Sequence, residues 1–366
     1  MKKITAVFGT RPDAIKMCPL VKELESRRCF EVSVCVSGQH RNMLDTVLDE
    51  LGVSPDVDMN IMKDGQTLFD ITSAALLGAG EAMRISYPDI VLVHGDTTTA
   101  FSAALAAFYM KIPIAHIEAG LRTGRINEPF PEELNRRAIA LMASYHFAPT
   151  DAARDNLLRE GISSENIFTV GNTVTDALRL TVKKDFSHPV LDFASDGELI
   201  FVTVHRRESI GVPMANIMKA LRKISDSFES VRMVFPLHKN PAVREYTEKY
   251  LGGCERIMLT EPLGVTDCHN IIARSKIILT DSGGIQEEAV SLGIPTLVLR
   301  SSTERAEGAD IGVLRLVGSD EDRIFESFHT LFENKAEYES SARAAALYGD
   351  GSTSRKIADI LEKIIC

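Results

Sequence analysis

Several features are absent from this sequence, and each absence narrows the classes of protein to which it can belong. Six cysteines are scattered over 366 residues without a CxxC pair or a regular spacing. This pattern argues against a disulfide framework or a zinc site and favours reduced thiols. No apolar stretch approaches the length of a membrane span. A soluble protein without a membrane partner is therefore expected.

Positive charge is also scarce, with 41 Lys and Arg against 51 Asp and Glu and a net charge of −10. This balance argues against nucleic-acid or anionic-membrane partners, so any anionic ligand must be held by a local cluster of donors. The N-terminal run MKKITAVFG breaks at Gly9 and predicts a first β-strand rather than a signal peptide. The expected location is the cytoplasm.

Several common site motifs are missing as well. The sequence contains neither a GxGxxG fingerprint nor a Walker loop, so nothing in it indicates a dinucleotide or ATP cofactor. There is no G-x-S-x-G elbow of a serine hydrolase. There is also no HxxxH pair or Cys/His cluster that would predict a metal site. We expect neither a cofactor nor a metal.

What the sequence does contain is a regular alternation of strand and helix patterns. A length of 366 residues predicts two domains, and 45% hydrophobic with 25% charged residues is typical of a globular enzyme. Short β-branched runs alternate with amphipathic helical stretches, which predicts parallel sheets built from right-handed βαβ units. The predicted strands are KITAVFG, EVSVCVSG, DIVLVHG, PIAHIEA and YHFAPT in the first half, and ELIFVTV, VRMVFPL, RIMLT, KIILTDS and PTLVLR in the second.

The predicted organisation is an α/β protein of two Rossmann-like domains whose parallel sheets face a central cleft. The N-terminal domain is assigned to 1–171 and the C-terminal domain to 172–351. The poorly periodic segment 183–198 is the best linker candidate, with the hinge near Gly171. The last helix, 352–366, follows a glycine-rich break and is expected to complete the N-terminal domain.

The stretch from His94 to Arg137 says most about chemistry. Two buried-looking strands run straight into carboxylates and glycine, and a proline-flanked loop leads to an acidic helix start. Because the carboxyl ends of parallel strands open onto the ligand crevice, Asp96, Glu118 and Glu132 are predicted to converge. Three carboxylates together indicate proton-transfer chemistry. The alternative is structural, since Asp96 could cap a helix and Glu132 could simply suit a first turn.

Two strand–turn–helix segments are candidates for anion binding. FGTRPDAIKM places Arg11 and Lys16 at a helix start, where backbone N–H groups suit a phosphate. TDSGGIQEEAVSLG repeats this arrangement in the second half, with glycines that allow a phosphate to approach the backbone. The alternative for each is an ordinary βα turn.

Histidines occupy two further strand ends of the second half. His205 ends VTVH and His238 lies in FPLH, and both are predicted to face the crevice. A lone histidine is usually structural, but two at equivalent strand ends favour a diphosphate site. Glu288 lies about one turn into the helix after Ser282, where a carboxylate can accept hydrogen bonds from both hydroxyls of a ribose.

Taken together, these motifs resemble the non-hydrolysing UDP-N-acetylglucosamine 2-epimerase family, from residue 4 to about residue 355. The resemblance implies a GT-B-like fold, UDP held mainly by the C-terminal domain, a homodimer and no redox cofactor. The motifs that carry it, in the family's order, are GTRPDAIKM, SGQHRNML, HGDTTT, IEAGLRTG, PFPEELNRR, GNTVTDAL, HRRES, HKNPAV, DSGGIQEEA and TERAEG.

The resemblance also implies roles for individual residues. The catalytic set is Asp96, Glu118, Glu132 and His205. The substrate-binding set is Arg11, Lys16, Arg136, His238, Cys268, Ser282, Gly283, Gly284, Glu288 and Arg305. Some bacterial members bind a second UDP-N-acetylglucosamine as an activator, and the matching residues here are Gln39, His40, Gln66, Arg206 and Glu208. Three positions depart from the family pattern: Cys268 replaces a common Phe, Ser209 an Asn and Ala306 a Pro.

The implied reaction interconverts UDP-N-acetylglucosamine and UDP-N-acetylmannosamine, through elimination of UDP to 2-acetamidoglucal and its re-addition. Supply of a cell-surface polysaccharide pathway is the expected role. One alternative is an epimerase of a related UDP-2-acetamido sugar. A second is a hydrolysing epimerase that releases N-acetylmannosamine and UDP, and a third is a non-catalytic nucleotide-sugar sensor.

Overall fold

The computed structural model describes residues 1–38, 41–63, 65–206, 209–238, 240–303, 305–343 and 346–366. They form two compact units, of which the first comprises Met1–Leu180 with Tyr348–Cys366 and the second Thr181–Leu347. In the described part of the chain, no helix combines the length and the apolar character that a membrane span requires.

The first unit is built on a seven-stranded sheet in the order β3-β2-β1-β4-β5-β6-β7, with parallel pairing throughout its described ladders. Its strands are β1 (Lys2–Phe8), β2 (Phe30–Val36), β3 (Val57–Asp58), β4 (Ile90–His94), β5 (Ile114–Ile117), β6 (Tyr145–Ala148) and β7 (Ile167–Thr169). Its helices are α1 (Arg11–Glu25), α2 (Arg41–Leu51), α3 (Leu68–Ser86), α4 (Thr98–Tyr109), α5 (Glu132–Met142), α6 (Asp151–Arg159) and α7 (Val174–Thr181).

The second unit repeats this plan with a six-stranded parallel sheet in the order β10-β9-β8-β11-β12-β13. Its strands are β8 (Glu198–Thr203), β9 (Val231–Pro236), β10 (Ile257–Thr260), β11 (Ile277–Thr280), β12 (Thr296–Val298) and β13 (Leu314–Leu316). Its helices are α8 (Pro189–Phe193), α9 (Val212–Ser227), α10 (Pro241–Leu251), α11 (Val265–Ile272), α12 (Gly283–Leu292), α13 (Ala306–Asp310), α14 (Glu321–Glu333) and α15 (Lys335–Ser341).

The central strands are largely apolar because helices cover both faces of each sheet. In β4 all five residues are buried. Alanines on α4, among them Ala100, Ala103 and Ala107, are fully or almost fully buried against β4 and α3. Their small side chains let α4 lie close to the sheet. The predicted α/β class with two parallel sheets is confirmed.

Both sheets reverse their winding between two neighbouring strands. In the first unit the chain leaves β1 and β4 in opposite directions, and in the second unit it leaves β8 and β11 in this way. In open α/β sheets, ligands bind at the carboxyl ends of the strands at such a switch point. We therefore expect ligand-binding residues to follow directly after these four strands.

A helix at the C-terminus, α16 (Thr353–Ile365), belongs to the first unit. The Asp176 carboxylate accepts hydrogen bonds from the backbone N–H groups of Thr353 (3.2 Å) and Ser354 (2.8 Å) at its N-terminus. Arg27 at the end of α1 pairs with Asp359 on the same helix. These contacts hold residues 172–180 and the last helix in the first unit. The N-terminal segment of this unit therefore ends at Leu180, nine residues beyond the boundary predicted at residue 171.

The segment predicted as a linker, 183–198, contains α8 and lies in the second unit. Val190 of this helix is fully buried in a core cluster with Phe201 and Ile272. The poor hydrophobic periodicity of this segment therefore reflects an irregular part of the second unit and not an interdomain linker.

Candidate functional site

Glu118 follows β5 and adopts a left-handed backbone conformation with a φ of 62°. A residue with a side chain is uncommon there, and the strain is on the order of 1 kcal/mol or more. Its carboxylate is buried, accepts a 2.7 Å hydrogen bond from Asn172 Nδ2 and forms an ion pair with Lys16 Nζ. The strained backbone thus directs an acidic group into a buried polar cluster.

Asp96 lies two residues after β4, beyond a glycine in the left-handed region. Its carboxylate forms an ion pair with Arg136 of α5, and its carbonyl oxygen accepts a 2.9 Å hydrogen bond from Asn135 Nδ2. Arg136 is itself buried and lies 3.4 Å from the fully buried Glu133. Helix α5 therefore fixes both the backbone and the carboxylate of Asp96.

Glu132 is the first residue of α5 and is half-buried. It lies four positions before Arg136, which places the two residues on the same face of the helix. A Cβ atom added to Gly95 would lie 3.6 Å from Glu118 Oε1, so the Glu118 carboxylate lies over the turn that leads to Asp96. Asp96 and Glu118 thus lie near the same turn at the edge of the first sheet, and Glu132 lies on the face of α5 that carries Arg136, the partner of Asp96.

Two buried histidines, His94 and His116, lie next to the turn at Gly95. His116 of β5 is fully buried, and its neutral ring can donate from Nε2 to the Gly95 carbonyl oxygen at 2.7 Å. Burial lowers the pKa of His116 to about 3, so the ring stays uncharged near neutral pH. His94, the last residue of β4, is also buried and faces Asp13 and Glu118. The sequence analysis did not identify His94 as a site residue.

Helix α1 provides the two basic residues predicted to hold an anion. The side chain of Thr10 caps the helix and forms a reciprocal capping box with Asp13. Arg11, the first helical residue, is half-buried, whereas Lys16 is buried against Glu118. In the structure Lys16 is thus a partner of a catalytic candidate, a role that the sequence analysis did not assign to it.

Asp281 organises the corresponding edge of the second sheet. This fully buried carboxylate follows β11 and accepts from the backbone N–H groups of His205 (3.1 Å) and Arg206 (2.9 Å) and from the Ser209 hydroxyl (3.1 Å). Its Oδ1 lies 3.5 Å from Nδ1 of His205. The sequence analysis missed Asp281, although its position at a strand end is the signal that singled out Asp96.

His205 and His238 lie together, with their rings stacked at a centroid distance of 5.7 Å. His238 Nδ1 accepts a hydrogen bond of 3.1 Å from the Asn240 N–H. Burial lowers the pKa of His238, and the nearby Asp281 partly opposes this. Both histidines were predicted at equivalent strand ends, and the structure brings their rings into contact.

Helix α12 begins after Ser282, whose hydroxyl makes no capping bond to the helix. A Cβ on Gly284 would meet no atom within 4 Å, whereas one on Gly283 would lie 2.8 Å from Arg305 Nη1. Arg305 donates from Nε (2.9 Å) and Nη2 (2.7 Å) to Glu287 in a buried ion pair. The sequence analysis predicted Arg305 as a ligand contact, and in the structure it braces the start of α12.

Glu288 is buried one turn into α12, with Oε1 3.5 Å from Nε2 of His269. Among the described residues no hydrogen-bond partner is found for its Oε2. His269 in turn forms a 2.6 Å hydrogen bond with the Thr181 hydroxyl. Cys268, the neighbouring residue of α11, is half-buried.

The residues predicted to bind an activator are only partly described. Gln39, His40 and Glu208 lie outside the described residues. The Gln66 side chain donates to the Ile61 carbonyl oxygen, and Arg206 is half-buried beside His205. Over the described ranges, no group of three His, Cys, Asp or Glu residues is arranged to hold a metal ion.

The chain has relatives among known protein families and enzymes. The family model for UDP-N-acetylglucosamine 2-epimerase matches residues 22–362. The UDP-N-acetylglucosamine 2-epimerase of Bacillus subtilis is 52% identical over 359 residues, which cover 98% of this chain and 94% of the relative. The enzyme of the same name from Escherichia coli K12 is 45% identical and 98% of each chain is covered.

Solved structures agree with these sequence relatives. The Staphylococcus aureus MnaA–UDP co-structure has a TM-score of 0.95 and 46% identity, with 99% of this chain and 96% of that chain covered. The UDP-GlcNAc 2-epimerase from Neisseria meningitidis bound to UDP-GlcNAc has a TM-score of 0.94 and 42% identity, with 99% and 100% covered. The chain is an enzyme and belongs to the UDP-N-acetylglucosamine 2-epimerase family.

Proposed function

We propose that this enzyme interconverts UDP-N-acetylglucosamine and UDP-N-acetylmannosamine without hydrolysing the sugar–nucleotide bond to free products. The observation that carries the proposal is the buried Glu118 carboxylate, held in a strained conformation beside Lys16 and over the turn to Asp96. Strained backbone in a polar cluster at a sheet switch point is the arrangement expected of a catalytic group.

The chemistry of the sugar dictates the route. The C2–H bond is not α to a carbonyl, so direct loss and return of this proton is too unfavourable. Elimination of UDP across C1–C2 instead gives 2-acetamidoglucal, and re-addition with protonation on the opposite face gives the epimer. This route needs stabilisation of a departing diphosphate and acid–base groups near both faces of C2.

The second unit has the groups that a diphosphate requires. Backbone N–H groups at the start of α12 and the Ser282 hydroxyl, unused in capping, suit phosphate oxygens. Asp281 fixes the backbone of His205 and can accept from its Nδ1, which leaves Nε2 for the diphosphate. Charge developing on the leaving group would be stabilised by these preorganised donors.

The nucleoside is assigned to the neighbouring helix face. Glu288 Oε2 is a buried acceptor with no described partner, and a ribose hydroxyl would satisfy it. Cys268 on α11 would lie near the uracil, where a thiol offers less stacking area than the phenyl ring of many relatives. Arg11, half-buried at the start of α1, is a further candidate for a phosphate contact.

The proton-transfer step is assigned to the first unit. Asp96, Glu118 and Glu132 would supply the acid–base groups for the two faces of C2. Arg136 keeps Asp96 in place, and Lys16 with Asn172 does the same for Glu118. A related UDP-2-acetamido sugar would undergo the same chemistry at these groups.

NMR of UDP-N-acetylglucosamine incubated with the enzyme in D2O tests the proposed reaction. The expected result is a mixture of the two UDP-sugars with deuterium at C2, since the proton returned to the intermediate comes from solvent-exchangeable carboxyl groups. Free N-acetylmannosamine and UDP as main products would contradict the proposal in favour of a hydrolysing epimerase. An unchanged substrate would favour another sugar or a nucleotide-sugar sensor.

We also propose that the enzyme is a homodimer, works in the cytoplasm and supplies an activated sugar for cell-surface polysaccharide. The neighbouring helices α3, α4 and α5 expose large apolar side chains, a pattern typical of interaction surfaces. These side chains are Phe69, Leu77, Ile85, Tyr109, Leu134 and Leu141. A second copy of the chain is the partner that the family resemblance implies.

The dimer proposal predicts that Leu77→Asp converts the protein to a monomer, because a carboxylate would be buried unpaired at the interface. Sedimentation should then give the 40.2 kDa chain mass instead of twice this value. Val212→Asp is a matched control, since Val212 in the second unit is as exposed as Leu77, at 73%. A monomeric parent protein, or a dimeric Leu77→Asp variant, would contradict this assignment.

We further propose that a second UDP-N-acetylglucosamine binds as an activator. The support for this is the match to the family's activator contacts of Gln39, His40, Gln66, Arg206 and Glu208. A second UDP-N-acetylglucosamine that favours the active state would make the rate depend sigmoidally on substrate concentration.

A further inference from the structure

We infer that Asp13, His94 and Glu118 share one proton, and that His94 is a positioning residue that sets the protonation state of Glu118. The inference rests on the proposed role of Glu118 in proton transfer at C2. It assigns functions to His94 and Asp13, neither of which the sequence motifs had singled out.

The geometry places the imidazole between two carboxylates. His94 is buried at the end of β4, with Nδ1 3.5 Å from Asp13 Oδ1 and Nε2 3.7 Å from Glu118 Oε2. In the described part of the chain, neither ring nitrogen has a hydrogen-bond partner at closer range. A small shift of the ring would bring both nitrogens into hydrogen-bond distance of a carboxylate.

Hydrogen bonds from both ring nitrogens of His94 to the two carboxylates need one proton more than a neutral imidazole carries. A neutral imidazole carries one N–H, so its other nitrogen would present a lone pair to an ionised carboxylate. Burial makes such an unpaired contact unfavourable. A proton on the second nitrogen or on the facing carboxyl group removes the conflict, and either position lies on the same Asp13–His94–Glu118 line.

The charge balance of the cluster leads to the same conclusion. Asp13 and Glu118 contribute two negative charges when ionised, and Lys16 contributes one positive charge. Two carboxylates this close to one buried imidazole favour the binding of a further proton, because in a low-dielectric environment each negative charge disfavours the other. Helix α1 carries both Asp13 and Lys16, and its capping box fixes Asp13 through the Thr10 N–H at 3.3 Å.

This shared proton has a use in a reversible epimerisation. Glu118 must be a carboxylate when it accepts the C2 proton and a carboxylic acid when it returns a proton in the reverse direction. In the transfer we propose, the N–H bond at His94 Nε2 breaks and an O–H bond forms at Glu118 Oε2. The ring becomes neutral and keeps its Nδ1–H on Asp13, and His94 regains its proton from Glu118 when this carboxylate next accepts one from C2 or from solvent.

His94→Gln tests the inference, because glutamine keeps a donor on this side chain but cannot hold the shared proton. We expect kcat to fall about tenfold or more, near the lower part of the range for positioned proton transfer, with KM within about twofold. The pH profile of kcat should also change shape, because coupled groups titrate as a unit. The titratable groups around His94 are Asp13, Glu118, Lys16 beyond Glu118, and His116 on the adjacent strand.

His146→Gln is the matched control. His146 is also buried, on β6, and burial lowers its pKa to about 4, so it is neutral at the pH of the assay. We expect this variant to lower the thermal midpoint without changing kcat or the shape of the pH profile. Adding Asp13→Asn to His94→Gln should lower kcat by less than the product of the single effects, since both changes remove the same shared proton.

Two results would overturn the inference: a wild-type kcat for His94→Gln, or an equal fall at every pH with an unchanged profile shape. The Glu118→Gln variant separates this from a failure of the proposed function. If Glu118→Gln keeps near-normal activity, the role of Glu118 is wrong and the inference falls with it. If Glu118→Gln is inactive while His94→Gln matches the parent enzyme, only the inference is wrong.

Discussion

Glu118→Gln is expected to lower kcat by roughly two orders of magnitude or more, the usual scale for loss of a general acid–base group. The amide can still accept from Asn172 and Lys16, so the local geometry is largely retained. It cannot accept a proton from C2. Turnover followed by NMR in D2O, with UDP affinity measured by calorimetry, separates a loss of chemistry from a loss of binding.

Glu31→Gln is the control for this substitution, since Glu31 is exposed and its carboxylate lies 3.8 Å from Lys3 Nζ. It should leave both turnover and UDP affinity unchanged. A Glu118→Gln enzyme with near-normal turnover would remove Glu118 from the acid–base set. A large fall in UDP affinity together with turnover would instead assign Glu118 to binding.

Glu287→Ala is expected to lower the free energy of unfolding by about 3 to 5 kcal/mol, because it removes one partner of the buried Glu287–Arg305 ion pair. Both side chains are buried, and Glu287 Oε1 accepts from two nitrogens of Arg305. The same pair holds Arg305 against Gly283 at the start of α12. UDP binding should therefore weaken along with stability.

Urea unfolding provides the measurement, and a surface pair of the same type provides the control. Arg244 and Glu261 form an exposed two-bond pair at 3.0 and 2.7 Å, and Glu261→Ala should change the free energy of unfolding by less than about 1 kcal/mol. Equal effects of the two substitutions would show that the buried pair is not a stabilising element of the second unit.

Much of the fold could be read from local patterns. Buried apolar runs such as Ile90–Val93 in β4 predicted the central strands, because strands with helices on both faces are mostly apolar. The strands β3, β7 and β13 were not predicted. They contain only two or three residues each, too few for a period to be recognised, and pairing with a longer neighbour defines them.

The candidate site was predicted in part, and its missing members share a cause. Asp96 and Glu118 were found because they follow strands directly in the sequence. His94 and Asp281 open the motifs HGDTTT and DSGGIQEEA, but neither was assigned a role of its own. Their importance lies in contacts with Glu118 and His205, which are 24 and 76 residues away.

The sequence alone determined the alternation of strands and helices, the strand-end positions of the acidic groups and the family to which the chain belongs. These properties depend on residues close together in the chain, where side-chain periodicity and turn residues act. Only the tertiary structure decided that Lys16 pairs with Glu118 and that Arg305 pairs with Glu287. The physical reason is that a buried charge is neutralised by whichever opposite charge the packing of strands and helices brings within reach.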